Sequence, residues 1–287
     1  MEDRRVTNPL VSVIIPCHNH GIYLEEAYAS IVNQTYSPIE TILVDDGSED
    51  LESVRTFEAK HTPNIKVLYT EHRGPSAARN AAIKEAKGKY ILPLDADDRV
   101  APTYIEKAVA ILEKSQDVGI VYCRAEFFGA MSGEWALPEY SLYTMLQRNI
   151  IFCTAVFRRE DWEQCGGYGE DMIYGLEDYD FWLSLIEMGK KVHKIPEILF
   201  FYRKHNTPSL LYKLQNSQEK LTYSNFRIIE HHINLYRHYK KFIVPILLKS
   251  HYIPPYKIVY FKIIKLLSAL IPIPSLRREF RKNFIDL

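Results

Sequence analysis

The 287-residue chain carries little cysteine, little glycine where a phosphate loop would need it, no surplus of either charge and no unbroken apolar run of membrane length. Its four cysteines, Cys17, Cys123, Cys153 and Cys165, include no Cys-x-x-Cys pair, so thiol exchange and the common zinc frameworks fall away and a reducing compartment is the simplest setting. No signal peptide is expected, because the charged start Met1 to Arg5 is followed only by Val11 to Ile15 before Pro16. The most apolar stretch, Ile258 to Leu276, is interrupted by Lys262, Lys265, Pro272 and Pro274 and makes no clean bilayer span. What remains is 47% apolar, 25% charged and 13% aromatic, the composition of a packed globular protein large enough to stand without staples.

The neutral total conceals an asymmetry. From Met1 to Tyr202 there are 20 basic and 32 acidic residues, a balance of −12, while Arg203 to Leu287 holds 16 and 4, a balance of +12. An acidic body without a basic stripe argues against a nucleic-acid partner.

Strand and helix patterns alternate from the start. Val11 to Ile15 reads as a strand, and Leu24, Ala27, Tyr28, Ile31 and Val32 share one helical face. Thr41 to Val44 is a second strand, Leu51, Val54 and Phe57 suggest a helix, and Ile65 to Tyr69 is a third strand. An alanine-rich helix opens at Pro75-Ser76 and is expected to stop at a C-cap glycine, Gly88, before the strand Tyr90 to Leu94. Such units predict a mainly parallel α/β sheet flanked by helices, with ligands at the carboxyl ends of its strands. Those ends read Pro16-Cys-His-Asn19, Asp45-Asp-Gly-Ser48 and Asp95-Ala-Asp-Asp98. A further strand is expected over Ile151 to Arg158, and Glu177-Asp178 opens a helix that closes at Gly189.

Each acidic cluster supports two readings. Asp95 and Asp97 at a strand end can reach one hard cation, or the same residues form a turn capping the next helix. Asp46 can accept from a base N–H beside the permissive Gly47, or simply close a turn. Glu177-Asp178 is either a proton acceptor at a helix start or a cap. Arg79, Arg203 and His205 are candidate anion contacts or ordinary surface pairs. His231, His232 and His238 show no metal spacing and read as surface residues.

Taken in order, Val11 to Asn19, Val44 to Ser48, Gly74 to Asn80, Leu94 to Asp98, Gly166 to Tyr168 and Glu177-Asp178 resemble family 2 of the inverting glycosyltransferases, which has the GT-A fold. The likeness covers roughly residues 10 to 205. It implies a GT-A catalytic domain over residues 1–205, with a nucleotide-sugar part at about 10–125 and an acceptor and base part at about 126–205, followed by a helical basic extension over 206–287. It further implies a nucleoside-diphospho-sugar donor, a UDP-sugar first among them, and a divalent metal, Mn²⁺ or Mg²⁺. By that resemblance Pro16, His18, Asn19, Asp45 and Asp46 form the nucleobase pocket, Arg79 contacts the donor, and Asp95 and Asp97 serve ribose and metal. Asp178 becomes the general base, Glu177 its acceptor-positioning neighbour, and Arg203 and His205 a diphosphate clamp. His18 stands where many relatives keep Tyr. No Gln-x-x-Arg-Trp string occurs, so one sugar per encounter is expected, in bacterial surface-polysaccharide assembly.

Rival classes are a sugar nucleotidyltransferase, disfavoured because Pro16 to Gly21 has one glycine and no cation, and an inactive binding module, which would lack the metal acid or the base. The acceptor is expected to be a saccharide or a lipid-linked saccharide met by Glu126 to Asn149 and Tyr168 to Tyr174. The basic, Pro-broken tail from Lys257 to Lys282 suits an anionic membrane surface, and suits equally a helical layer packed on the acidic body. The expected location is cytoplasmic, with peripheral attachment as its membrane-bound form.

Overall fold

The computed structural model describes residues 8–207 and 209–239. Apolar β-branched runs form a central sheet of nine strands: β1 (Val11–Cys17), β2 (Ile39–Asp46), β3 (Ile65–Thr70), β4 (Tyr90–Pro93), β5 (Arg99–Val100), β6 (Val118–Gly129), β7 (Gly133–Trp135), β8 (Val156–Arg158) and β9 (Lys191–Lys204). Their spatial order is β3-β2-β1-β4-β8-β6-β9-β5, with β7 on β6. Between them run α1 (Leu24–Val32), α2 (Leu51–His61), α3 (Pro75–Glu85), α4 (Tyr104–Lys114), α5 (Leu142–Met145), α6 (Arg159–Cys165) and α7 (Glu177–Glu187). Then come α8 (Leu210–Gln215), α9 (Gln218–His231) and α10 (Ile233–His238).

The α/β class expected from the sequence, a sheet flanked by helices, is the one observed. Strands β3, β2, β1 and β4 are parallel, as the βα units require, and beyond β4 the sheet is mixed, because β8 runs antiparallel to both β4 and β6 while β6 and β9 pair in parallel. Parallel strands buried on both faces explain the continuous apolar runs: Val11, Val13, Ile14, Ile15, Leu43 and Val44 are all solvent-free.

Several local expectations shift for identifiable reasons. Val32 ends α1 on the solvent side rather than in the core. Helix α3 stops at an extended Ala86, so Gly88 is not its cap. A Cβ on Gly88 would sit 2.5 Å from the backbone nitrogen of Ser12, and the glycine lets this connection press against β1 while its N–H donates to Ser12 Oγ. Only Val156–Arg158 of the stretch expected as strand from Ile151 is extended and paired. Ahead of it the chain turns inward, with the carbonyl of Thr154 accepting the buried Tyr104 hydroxyl at 2.8 Å.

The described part of the expected C-terminal extension packs on α7. Asp180, on the hidden side of that helix, receives His231 Nδ1 at 2.8 Å and His232 Nε2 at 3.1 Å. His232 is buried against Asp180 and Glu187, contrary to the surface role expected for it. The stretch Lys257 to Lys282 lies outside the described residues.

Candidate active site

Register brings the ends of β1 and β2 together, Pro16 opposite Val44 and Cys17 opposite Asp45. The following loops are laced to each other: the N–H of Asn19 donates to Ser48 Oγ at 2.9 Å, Asn19 Oδ1 accepts the N–H of Glu49, and His18 Nδ1 lies 2.9 Å from the carbonyl of Asp46. Asn19 adopts a left-handed backbone, which its short amide tolerates. His18 is exposed and stacks on His72 with ring centres 3.9 Å apart.

The two aspartates of this edge differ sharply. Asp46 is consumed internally, accepting the N–H groups of Arg73 at 3.0 Å and Gly74 at 2.8 Å along with Thr70 Oγ1 and His72 Nδ1. It shapes the turn into α3 and has no acceptor to spare for a base. Among the described residues Asp45 accepts only a long bond from the Ser48 N–H, and its Oδ1 has no hydrogen-bond partner. An unpaired buried acceptor of this kind waits for a donor, since leaving it bare is costly. Gly47 is needed here, because its φ is +68° and a Cβ would sit 2.8 Å from the His72 nitrogen.

At the end of β4, neither cap reading survives. The N-cap of α4 is Thr103, five positions beyond Asp98, with β5 between them. β5 pairs antiparallel with β9, Arg99 opposite Phe201, and this pairing carries Arg203 and His205 back to the aspartates. His205 Nε2 lies 2.7 Å from Asp97 Oδ2, and His20 Nδ1 lies 3.4 Å from Asp97 Oδ1. Among the described residues this His20, Asp97 and His205 group is the one whose donor atoms all fall within 4.8 Å of one another. Burial works against ionised Asp97, but its bonds to the two imidazoles hold its carboxyl below the usual carboxylate range; the same Asp97 bond raises His20. Two imidazole nitrogens and a carboxylate suit a divalent transition metal.

Asp95 does not join that group. Its Oδ1 takes Arg79 Nη2 at 2.9 Å, while Arg79 Nη1 reaches Glu177 Oε1 at 2.6 Å. Arg79 is only 3% exposed, so this guanidinium is an internal bridge rather than an open donor contact. Arg203 is likewise committed: Nε donates to the Asp97 carbonyl at 2.8 Å, Nη2 pairs with Glu26, and the guanidinium lies over the rings of Tyr23 and Phe128. Asp98 is buried, accepts the Arg203 N–H at 2.8 Å, and is pushed well above the carboxylate range by burial and by Asp97 and Asp95. It fastens β9 and is not one of the three residues whose donor atoms converge.

Helix α7 starts beside this bridge. Its N-cap, Leu176, has φ +70° and no side-chain cap; within the first turn Asp178 accepts the Tyr179 N–H at 2.7 Å, while Glu177 is drawn to Arg79. A left-handed Leu costs about 1–2 kcal/mol and is the sort of strain found at working sites. Asp178 opens onto a cleft of about 590 Å³ that Arg79, Asp95, Glu177 and Asn149 also line. Burial, then the charge of Glu177, push its carboxyl up to about 7 against Arg79, the Tyr179 N–H and Asn149. The expected wall residues arrive as well: Trp135, Leu137, Arg148 and Tyr174 border the same cleft.

Through Arg79, carboxylates from two distant segments are joined, and Asp97, the centre of the convergent His20 and His205 group, stands two residues past Asp95. The glycosyl transferase family 2 profile matches residues 12–174 of this chain. The chain belongs to that family. An uncharacterized glycosyltransferase of Rickettsia prowazekii is 33% identical over 215 residues, covering 70% of this chain and 66% of its own length. The hyaluronan synthase of Pasteurella multocida is 30% identical over 200 residues, 67% of this chain but only 20% of that protein. Among solved structures, S. aureus TarS with UDP-GlcNAc superposes with a TM-score of 0.60 at 16% identity, over 91% of this chain and 80% of that one. The mannosyltransferase PcManGT of Pyrobaculum calidifontis, with GDP-Man and Mn²⁺, gives 0.61 at 23% identity over 92% and 74%. These likenesses show the fold.

Within this family member, sequence reasoning overlooked His20, although it ends the same Pro16 to His20 strand-end segment. It also overlooked Asn80, which takes Trp162 Nε1 and the Tyr168 N–H on Oδ1 and gives Nδ2 to the Tyr168 carbonyl at 2.9 Å, locking the Gly166-Gly167-Tyr168 turn against α3. The polar residue within the Ala77 to Ala82 face was the available signal.

Proposed function

We propose that this glycosyltransferase moves one sugar from a nucleoside-diphospho-sugar, a UDP-sugar foremost, to an acceptor hydroxyl with inversion, in surface-polysaccharide assembly. The observation that carries the reading is Asp178, a carboxyl pushed up to about 7 and open to the cleft. A base matched to neutral pH accepts a hydroxyl proton with the best compromise between ionised fraction and strength. As the acceptor oxygen bonds to the anomeric carbon, its proton passes to Asp178, and the bond to the diphosphate oxygen breaks with its electron pair leaving on the nucleoside diphosphate. Glu177, clamped by Arg79, holds the start of α7 and so the position of Asp178. One base suffices, unlike glycoside hydrolysis, where two carboxyl groups divide the work.

Asp45 Oδ1 supplies the unpaired acceptor for a base N–H, beside Pro16 and the exposed His18. His20, Asp97 and His205 would hold Mn²⁺ in preference to the oxygen-loving Mg²⁺, and a bound cation supplies charge neutralisation of the diphosphate. The relative bound to GDP-Man and Mn²⁺ supports both assignments by fold alone. Residues 1–205 form the catalytic part under this reading and 206–287 an extension. No helix among the described residues is long and apolar enough to cross a membrane. Attachment to the cytoplasmic face rests on the basic stretch Lys257 to Lys282 and fails if the full chain does not float with anionic liposomes.

A screen of UDP- and GDP-sugars for Mn²⁺-dependent turnover tests the function. Asp178→Asn is expected to bind donor as wild type does and to lose transfer. Equal transfer by the two proteins removes the base assignment.

A further inference from the structure

The segment Gly166 to Gly175 carries four glycines and forms neither helix nor strand, yet it borders the cleft through Tyr174 and Gly175 and delivers the chain to Asp178 three residues later. Glycine-rich connections sit at the loose end of a fold unless contacts from outside hold them. On one side Arg73 and Asn80 take Glu170, at 2.6 Å and 3.2 Å. On the other side stands α9. Its residues Lys220, Tyr223, Arg227 and His231, three and four positions apart, form one helical stripe, and each of them meets this loop. The Tyr223 hydroxyl donates to the Asp171 carbonyl at 3.2 Å, Arg227 Nη2 donates to the Asp171 carboxylate, and His231 Nε2 lies 3.1 Å from the same carboxylate oxygen. Tyr223 also stands edge-on to Tyr174, with ring centres 5.2 Å apart, and Lys220 Nζ lies 5.3 Å from the Tyr174 ring centre.

His231 joins this loop to α7. Its Nδ1 lies 2.8 Å from Asp180 Oδ1 while its Nε2 reaches Asp171, so one ring spans residues on either side of Leu176, Glu177 and Asp178. Burial disfavours a charge on Asp180, but the bonds to His231 and His232 hold its carboxyl below the usual carboxylate range. The loop rests directly on that carboxylate, since a Cβ on Gly169 would sit 2.8 Å from Asp180 Oδ2. The opposite wall is tied as well: the Tyr236 hydroxyl of α10 donates to the Leu146 carbonyl at 3.3 Å, three residues before Asn149, whose amide donates to Asp178 at 3.0 Å. The donor-side carboxylates take their bonds elsewhere, Asp45 from Ser48 and Asp97 from His20 and His205.

We infer that Arg227 and His231 are positioning residues for sugar transfer: α9 straps the Gly169 to Gly175 loop to α7 and so fixes the acceptor side of the cleft and the placement of Asp178. The inference rests on the reading of this cleft as the transfer site.

The test compares the full chain with its α9 variants by amide hydrogen exchange, donor calorimetry and transfer kinetics. In Arg227→Ala/His231→Ala, exchange of the Asp171 to Leu176 amides is expected to quicken about tenfold or more while the amides of β1 to β4 are unchanged. Transfer should fall about 10–100-fold in kcat/KM for the acceptor, the cost of a small displacement at the reacting centre, with donor affinity within about twofold of wild type. Arg227→Lys, which keeps a cation for Asp171, should recover most of the rate. Arg227→Ala and Asp171→Asn break the same bond, so their combined loss should fall short of the sum of the two. Unchanged loop exchange, a donor affinity that drops as far as transfer does, or additive losses overturn the inference. A wild type that turns over no donor removes the transfer reading and the inference with it, whereas a transferring wild type matched by Arg227→Ala/His231→Ala removes the inference alone.

Discussion

Replacing Asp178 by Asn removes a carboxyl that the fold holds near 7 in place of an ordinary 3.8, because burial and Glu177 disfavour its charge. The unfolded chain releases this proton near the ordinary value, and the folded chain keeps it until the higher one. Across that interval the unfolded state binds fewer protons, so stability falls as pH rises and levels off above about 7. At 1.36 kcal/mol per pH unit the full cost is about 4 kcal/mol, an upper value because one side of the carboxyl faces the cleft. Asn keeps an acceptor for the Tyr179 N–H, bound at 2.7 Å, but presents an amide nitrogen to that of Asn149, which forfeits one hydrogen bond. The net gain expected for the variant at about pH 8 is therefore about 1–3 kcal/mol, and near pH 4, where no buried charge is left to relieve, it reverses to a loss of about 1 kcal/mol from the forfeited hydrogen bond. Urea denaturation of both proteins across this range measures it, with the midpoint as readout. The same titration governs chemistry: transfer should rise about tenfold per pH unit below about 7 and then flatten, and the variant should lose about 10²–10⁴ in rate. Parallel stability curves for the two proteins from acid to neutral pH would show that Asp178 titrates normally, and the reasoning would fail.

His20→Ala is expected to weaken Mn²⁺ binding by about tenfold or more, read by calorimetry, since it removes one of three donors around Asp97; unchanged affinity would exclude His20 from the site. Arg79→Met leaves Asp95 and Glu177 facing each other without their cation and should cost about 3–5 kcal/mol at neutral pH. Urea denaturation measures the deficit, and an unchanged midpoint would show that the bridge contributes nothing to stability. Gly88→Ala is expected to lose about 1–3 kcal/mol in thermal or chemical unfolding, because the added methyl meets the Ser12 backbone at 2.5 Å; a neutral result would mean that this connection yields freely.

The front half of the sheet was legible because its signals are local. Apolar runs bounded by polar clusters give β1 to β4, and the helical faces of α1 to α4 follow from spacing. Which carboxylate does what was not legible, because that depends on partners distant in the chain. Asp45 and Asp46 are neighbours of identical chemistry, yet strand alternation aims one into the turn before α3 and leaves the other unpaired. Asp95 and Asp97 separate because the chain turns between β4 and β5, with the Asp98 N–H donating to the Asp95 carbonyl, so that one carboxylate is drawn to Arg79 and the other to two imidazoles. His20 entered the cation group only because the β5–β9 pairing returns His205 to it, a contact that no spacing rule foretells. His232 looked like surface because its burial depends on Asp180, a residue on the far side of α7.

The central claim is that Asp97 and its two histidines grip the donor through a cation two residues along the chain from Asp95, which borders the cleft that holds the base. Calorimetric titration of the donor found in the screen, with and without Mn²⁺, into wild type and Asp97→Ala tests it most directly. The account predicts that Mn²⁺ tightens donor binding at least about tenfold in wild type and leaves the variant unaffected. Equal Mn²⁺ dependence in the two proteins would contradict it.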